Sequence, residues 1–77
     1  MSITVKFFAS LRESIGRADC QLTADGIATA AEAWAVATGG RERPANTLIA
    51  VNMEYADGEQ AVKDGDEVAF FPPVSGG

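Results

Sequence analysis

The sequence has no histidine and a single cysteine, Cys20. Without histidine, the usual general base near neutral pH and the commonest metal ligand are both missing. One thiol excludes an internal disulfide, a four-cysteine iron–sulfur cluster and a cysteine-rich zinc site, and it gives no sign of an oxidising compartment. Cys20 reads either as a small buried apolar residue on a strand or as a reactive thiol. Basic residues are few: six Lys and Arg face eleven Asp and Glu, for a formal net charge of −5. Such a surface repels a phosphate backbone, so nucleic acid is not an expected partner, whereas a basic groove on another protein is. Long apolar runs are missing too. Met1-Ser2-Ile3-Thr4-Val5-Lys6 has no apolar stretch after a basic start, so neither a signal peptide nor a membrane span is expected, and the expected location is the cytoplasm.

What is present fits one small α+β domain. At 77 residues and 47% hydrophobic, folding buries only about 60% of the unfolded surface, so nearly every strand and helix face must contribute to one core. Ile3, Val5 and Phe7 alternate with Thr4, Lys6 and Phe8, the period-2 pattern of a strand with one face inward. That parity points Phe8 outward unless a bulge near Ala9 turns it in. Ser10 is positioned to cap a short helical turn from Leu11 to Ile15, which Gly16 ends. A second strand follows at about Ala18 to Leu22, with Cys20 and Leu22 on one face.

Thr29-Ala30-Ala31-Glu32 matches a capping box and sets the start of the main helix. Ala30, Ala33, Trp34 and Ala37 form its apolar stripe, with Trp34 as the one large filler, and Gly39-Gly40 ends it. Arg41-Glu42-Arg43-Pro44 reads as a solvated loop. Leu48-Ile49-Ala50-Val51 is a short unbroken apolar run suited to a central strand. Asn52-Met53-Glu54 turns it back into a short strand at Tyr55-Ala56, without the glycine that usually follows Asn in a tight hairpin. Asp57-Gly58 is a turn, Val62 anchors the next loop, and Lys63-Asp64-Gly65-Asp66 turns with glycine where positive φ is expected. Asp64, Asp66 and Glu67 lack the longer ligand pattern of a calcium loop and read as turn chemistry. In the last strand, Glu67 to Phe71, one aromatic faces the core and the other faces out. If the first and last strands are parallel neighbours, Phe8 and Phe71 share an outer face and form an exposed apolar patch of the kind that marks interfaces.

Beyond Phe71 the sequence reads Pro72-Pro73-Val74-Ser75-Gly76-Gly77. The prolines cannot extend a ladder and hold their φ in the extended range, and Pro72 biases Phe71 away from the helical region. Residues 72–77 are therefore expected to form a flexible, extended tail leaving a domain of residues 1–71. Two readings of Gly76-Gly77 stand side by side: a frayed end, or a thread of backbone width that carries a carboxylate into a tunnel any Cβ would block.

Three stretches carry a resemblance. Asp64 through Gly77, Phe7-Phe8-Ala9-Ser10-Leu11-Arg12-Glu13 leading to Gly16, and Ala50-Val51-Asn52 together resemble the small subunit of molybdopterin synthase, a family of ubiquitin-like sulfur carriers. The resemblance implies a β-grasp fold, with a mixed sheet of about five strands, one main helix across it and a short helical turn after the first strand. It implies that an ATP-dependent activating enzyme adenylates the Gly77 carboxylate, that a sulfur donor converts it to a thiocarboxylate, and that the loaded tail enters a large synthase subunit within a heterotetramer. There the sulfur passes to a cyclic pyranopterin phosphate to build the dithiolene of the molybdenum cofactor. ATP belongs to the activating enzyme, and no cofactor or metal is expected on this chain. Gly77 is then the reacting residue, Gly76, Ser75, Val74, Pro73 and Pro72 insert, and Phe71, Phe8 and Arg12 contact the partner. A carrier for another pathway such as the thiamine thiazole, a ubiquitin-like protein modifier and an inert binding module are the rival readings.

Overall fold

The computed structural model describes residues 2–72. The chain begins with strand β1 (Ser2–Phe7), short helix α1 (Ala9–Ile15) and strand β2 (Asp19–Thr23). Helix α2 (Ala30–Thr38) follows, then β3 (Leu48–Val51), β4 (Glu54–Ala56) and β5 (Glu67–Phe71). The five strands form one mixed sheet in the order β2-β1-β5-β3-β4, with β1 and β5 parallel and the other neighbours antiparallel. This is the expected α+β β-grasp, with α2 held across the inner face. No helix among the described residues is long and apolar enough to cross a membrane.

The alternation in β1 is real. Ile3, Val5 and Phe7 are buried while Ser2, Thr4 and Lys6 are half-exposed. Their inward partners are Val68 and Phe70 of β5, Ile49 and Val51 of β3, and Ala30, Ala33 and Trp34 of α2. At the centre the Trp34 ring meets Phe7 and Phe70 edge-on, at centroid distances of 5.8 and 5.0 Å, and Phe7 stacks on Phe70 at 5.9 Å. Contacts of this type add roughly 0.5–1.5 kcal/mol beyond area burial. The buried indole N–H donates to the Arg41 carbonyl at 2.7 Å, so the one large filler leaves no polar atom stranded. Cys20 is half-buried and packs with Leu22 against this core.

Helix α2 starts where the capping box places it. The Thr29 hydroxyl accepts from the Glu32 N–H at 3.2 Å, and the Glu32 carboxylate accepts from the Thr29 N–H at 3.1 Å. Gly39, at φ 72°, closes the helix in the left-handed region. The first helix corrects an expectation. Its N-cap is Phe8, not Ser10, and no side chain caps it. The Phe8 carbonyl itself accepts from the N–H groups of Leu11 and Arg12, at 3.1 and 3.4 Å. This is permitted because Ala9 takes a φ of 52°, which swings the chain from strand to helix two residues earlier than side-chain capping predicts. Gly16 ends α1 at φ 90° as expected. The second strand lies one residue later than read, at Asp19–Thr23.

Candidate functional site

Alternation leaves the face of the sheet opposite α2 uncovered, and the parity of each strand fixes what lies there. From β1 come Thr4 and Lys6, from β5 Glu67, Ala69 and Phe71, from β3 Leu48 and Ala50, and from β4 Tyr55. Phe8 joins them because the parallel ladder runs past its last paired residues, Phe7 and Phe70: the Phe8 N–H donates to the Phe70 carbonyl at 3.1 Å. Phe8 is thus held outward, 40% exposed, and no bulge turns it in.

The Phe8 ring stacks on Phe71 with centroids 4.8 Å apart and planes 8° from parallel. Tyr55 stands on the other side of Phe71, 6.5 Å away and tilted by 58°, and is itself 79% exposed. Leu48 pairs in register with Phe71. Beside the aromatic row, Ala50 and Ala69 face each other across β3 and β5, and both are buried although no helix covers them. Short side chains between tall ones make a shallow floor, so a contiguous apolar surface lies at the point where the chain leaves β5. Surfaces of this kind on small proteins mark sites of association.

Charge borders this floor. Lys6 and Glu67 form an ion pair at 3.7 Å, and Asp19 of β2 lies opposite Lys6 in register. Both members of the pair keep more than a third of their side-chain surface exposed, so the pair contributes little to stability. Arg12 sits one helical turn after Phe8, is exposed, and belongs to no ion pair among the described residues. Asp64, Asp66 and Glu67 do not converge. Asp66 turns into the fold toward Asn52 and Lys63, while Glu67 turns to Lys6.

The structure therefore brings Phe8 and Phe71 together as read from the sequence and places Arg12 at their margin. Pro72, half-buried, is the last described residue of the exit. The readings on Pro73, Val74, Ser75, Gly76 and Gly77 lie outside the described residues. Tyr55 and the alanine floor went unread. Their faces follow from the pairing of Ala50 with both Tyr55 and Ala69, and only the strand order supplies that relation.

Comparison with known proteins bears on this surface. A family model described as the ThiS family matches residues 5–77. A protein of Haemophilus influenzae named molybdopterin synthase sulfur carrier subunit is 41% identical, over 97% of this chain and 99% of that protein. Among solved structures, SAMP1 from Haloferax volcanii superimposes with a TM-score of 0.79 at 34% identity, covering all of both chains. A protein–protein complex of subunits 1 and 2 of the molybdopterin-converting factor from Helicobacter pylori matches with a TM-score of 0.67 at 27% identity, again over both full lengths.

Proposed function

The chain belongs to the ThiS family, and on that premise we propose that it is the sulfur carrier subunit of molybdopterin synthase. The name of its Haemophilus relative supports this reading, as does the solved pairing of subunits 1 and 2 in Helicobacter. The single observation that carries it is the stacked Phe8–Phe71 pair at the root of the Pro72-to-Gly77 segment. An exposed aromatic surface at that root seats a partner where it can receive the residues beyond.

The chemistry starts at the Gly77 carboxylate. A carboxylate is a poor electrophile, so one of its oxygens attacks the α-phosphorus of ATP in the activating enzyme and displaces pyrophosphate. The product is a mixed anhydride whose leaving group is AMP. Sulfur delivered at the sulfide oxidation level by a donor attacks the acyl carbon, AMP leaves, and Gly77 bears a thiocarboxylate. That group is ionised and nucleophilic at neutral pH without a neighbouring base, which suits a chain with no histidine. In the large subunit the thiocarboxylate sulfur bonds to a side-chain carbon of a cyclic pyranopterin phosphate and displaces an oxygen substituent from it. Water then cleaves the acyl C–S bond of the resulting thioester, which leaves the sulfur on the pterin as a thiol and releases the carrier as the free carboxylate. The large subunit supplies the proton-transfer groups and the electrostatic stabilisation.

Because two sulfurs are needed per dithiolene, spent carrier must leave and return. A docking surface of one aromatic row over an alanine floor suits a reversible interface, with the tail adding contact length. Gly76 and Gly77 pass a channel by backbone alone, and Pro72 and Pro73 reduce the freedom lost on insertion.

Intact mass spectrometry tests this reading. After incubation with ATP, the activating enzyme and a sulfur source, the protein should gain about 16 Da, one oxygen replaced by sulfur, as expected of a covalent carrier. The loaded protein should then convert precursor to dithiolene when mixed with the large subunit. Conjugates of high mass would assign the chain to protein modification instead, and an unchanged mass would refute a carrier.

A further inference from the structure

Arg43 departs from the solvated loop expected of residues 41–44. It is half-buried, and its guanidinium lies against the backbone of Gly58. A Cβ placed on Gly58 would come within 2.9 Å of both Nη1 and Nη2 of Arg43. Gly58 is outside the left-handed region, so what its missing side chain provides there is room for the guanidinium.

Asp57, the residue before Gly58, lines the same hollow as Arg43 but is not paired with it. Among the described residues Arg43 forms neither of the two ion pairs and donates no side-chain hydrogen bond. The neighbouring Asp57 carboxylate accepts from the Glu59 N–H at 2.9 Å. Arg43 lines a hollow of ≈ 370 Å³ whose other walls include Leu48 and Tyr55. Leu48 is the register partner of Phe71, and the Tyr55 ring stands 6.5 Å from it. The hollow is therefore continuous with the aromatic docking face.

Resting on the docking reading above, we infer that Arg43 is a specificity-determining contact, placed to take a carboxylate of the large subunit that covers Phe8, Phe71 and Tyr55. A guanidinium held by packing loses little further freedom on binding, and its forked N–H donors match a carboxylate with two parallel hydrogen bonds. The charge of the whole chain sharpens the choice. At −5, this surface repels an acidic side chain at most places it could land, and Arg43 offers it a seat on the Leu48–Tyr55 side of the patch, as Arg12 does beside Phe8. A cation held in place at the margin of an apolar patch therefore helps fix the register of docking in a way the apolar contacts do not.

The test is a titration of the large subunit with the parent chain and with Arg43→Ala, Arg43→Lys, Gly58→Ala and Phe71→Ala, at low and at moderate salt, with thermal melts of each. Arg43→Ala should weaken binding about tenfold and flatten its salt dependence. Arg43→Lys keeps the charge and the stem but loses the fork, and should weaken binding about threefold. Gly58→Ala, which displaces the guanidinium, should follow Arg43→Ala. If the two Arg43 variants and Gly58→Ala bind like the parent while Phe71→Ala does not, the inference is overturned and the docking face stands. If Phe71→Ala also binds like the parent, the docking reading itself fails. Should Arg43→Ala not fold, Arg43→Lys decides, and full affinity in that variant overturns the inference.

Discussion

The Asn52 side-chain amide donates to the Asp66 carboxylate at 3.0 Å, and its carbonyl accepts from the Glu67 N–H at 2.9 Å. One asparagine thus ties the β3–β4 turn to the first residue of β5. Asp66 is buried and also accepts from the Lys63 N–H at 2.9 Å. The Asn52 amide first, and then the Lys63 N–H, hold its carboxyl below the usual carboxylate range, against the opposing effect of burial.

A group whose pKa is lower in the folded than in the unfolded chain stabilises the fold above its unfolded value, and that contribution is lost as pH falls through the folded one. Asp66→Asn should therefore reduce stability at neutral pH by about 1–2 kcal/mol, the scale of a buried acceptor exchanged for a poorer one. The deficit should shrink as the pH drops below about 4, where carboxylates begin to protonate. Urea unfolding of both proteins between pH 2 and 7 checks this, and parallel stability curves would show that Asp66 contributes through packing alone.

Met53 is strained. Asn52 and Met53 occupy the two loop positions between the paired residues Val51 and Glu54, with φ values of 51° and 71°. That is the type I′ arrangement, whose second position favours glycine because a Cβ is unfavourable there. Met53 is also 89% exposed, so its side chain gains little from packing. Met53→Gly should raise stability by about 1 kcal/mol, read as a higher midpoint in denaturant with an unchanged slope. A lower midpoint would mean that the loss of chain entropy outweighs the relief.

Much of this was legible because the signals are local. Alternation from Ile3 to Phe7, the Thr29/Glu32 box, Gly39 after Trp34 and the opposed faces of Phe70 and Phe71 each need only a few consecutive residues. The joint outer face of Phe8 and Phe71 required one further step, the parallel pairing of β1 with β5. Three features lay beyond reach for a common reason. The Asn52–Asp66 tie, the seat of Arg43 on Gly58 and the place of Tyr55 beside Phe71 all join residues that only the assembled sheet brings together. The cap of α1 was misread differently: Ser10 has the right chemistry, but Ala9 turns the backbone first.

Phe71→Ala separates docking from folding. Phe71 is half-buried, stacks on an exposed ring and contributes nothing to the Phe7–Trp34–Phe70 centre. Its removal should cost stability about 1 kcal/mol, the scale of one aromatic pair. Binding to the large subunit should weaken far more, by about 2 kcal/mol or ~30-fold, as for a central aromatic anchor. Calorimetric titration beside a thermal melt reads both quantities. A large fall in melting temperature with intact binding would return Phe71 to the core.

The position of the reacting carboxylate is the most demanding requirement of the proposed chemistry. The proposed docking through Phe8, Phe71 and Tyr55 fixes where the chain leaves the domain, so on that reading the number of residues after Phe71 sets where its carboxyl group arrives. Removing Gly77, or adding one residue after it, moves that group by about 3.3–3.6 Å along an extended chain. Displacements near 1 Å can already cost about 100-fold in an oriented reaction, so either change should abolish sulfur transfer in a reconstituted assay. The melting temperature should stay at the parent value, since the described core ends at Phe70. Transfer that survives either change would show that the reacting atoms are not those of Gly77.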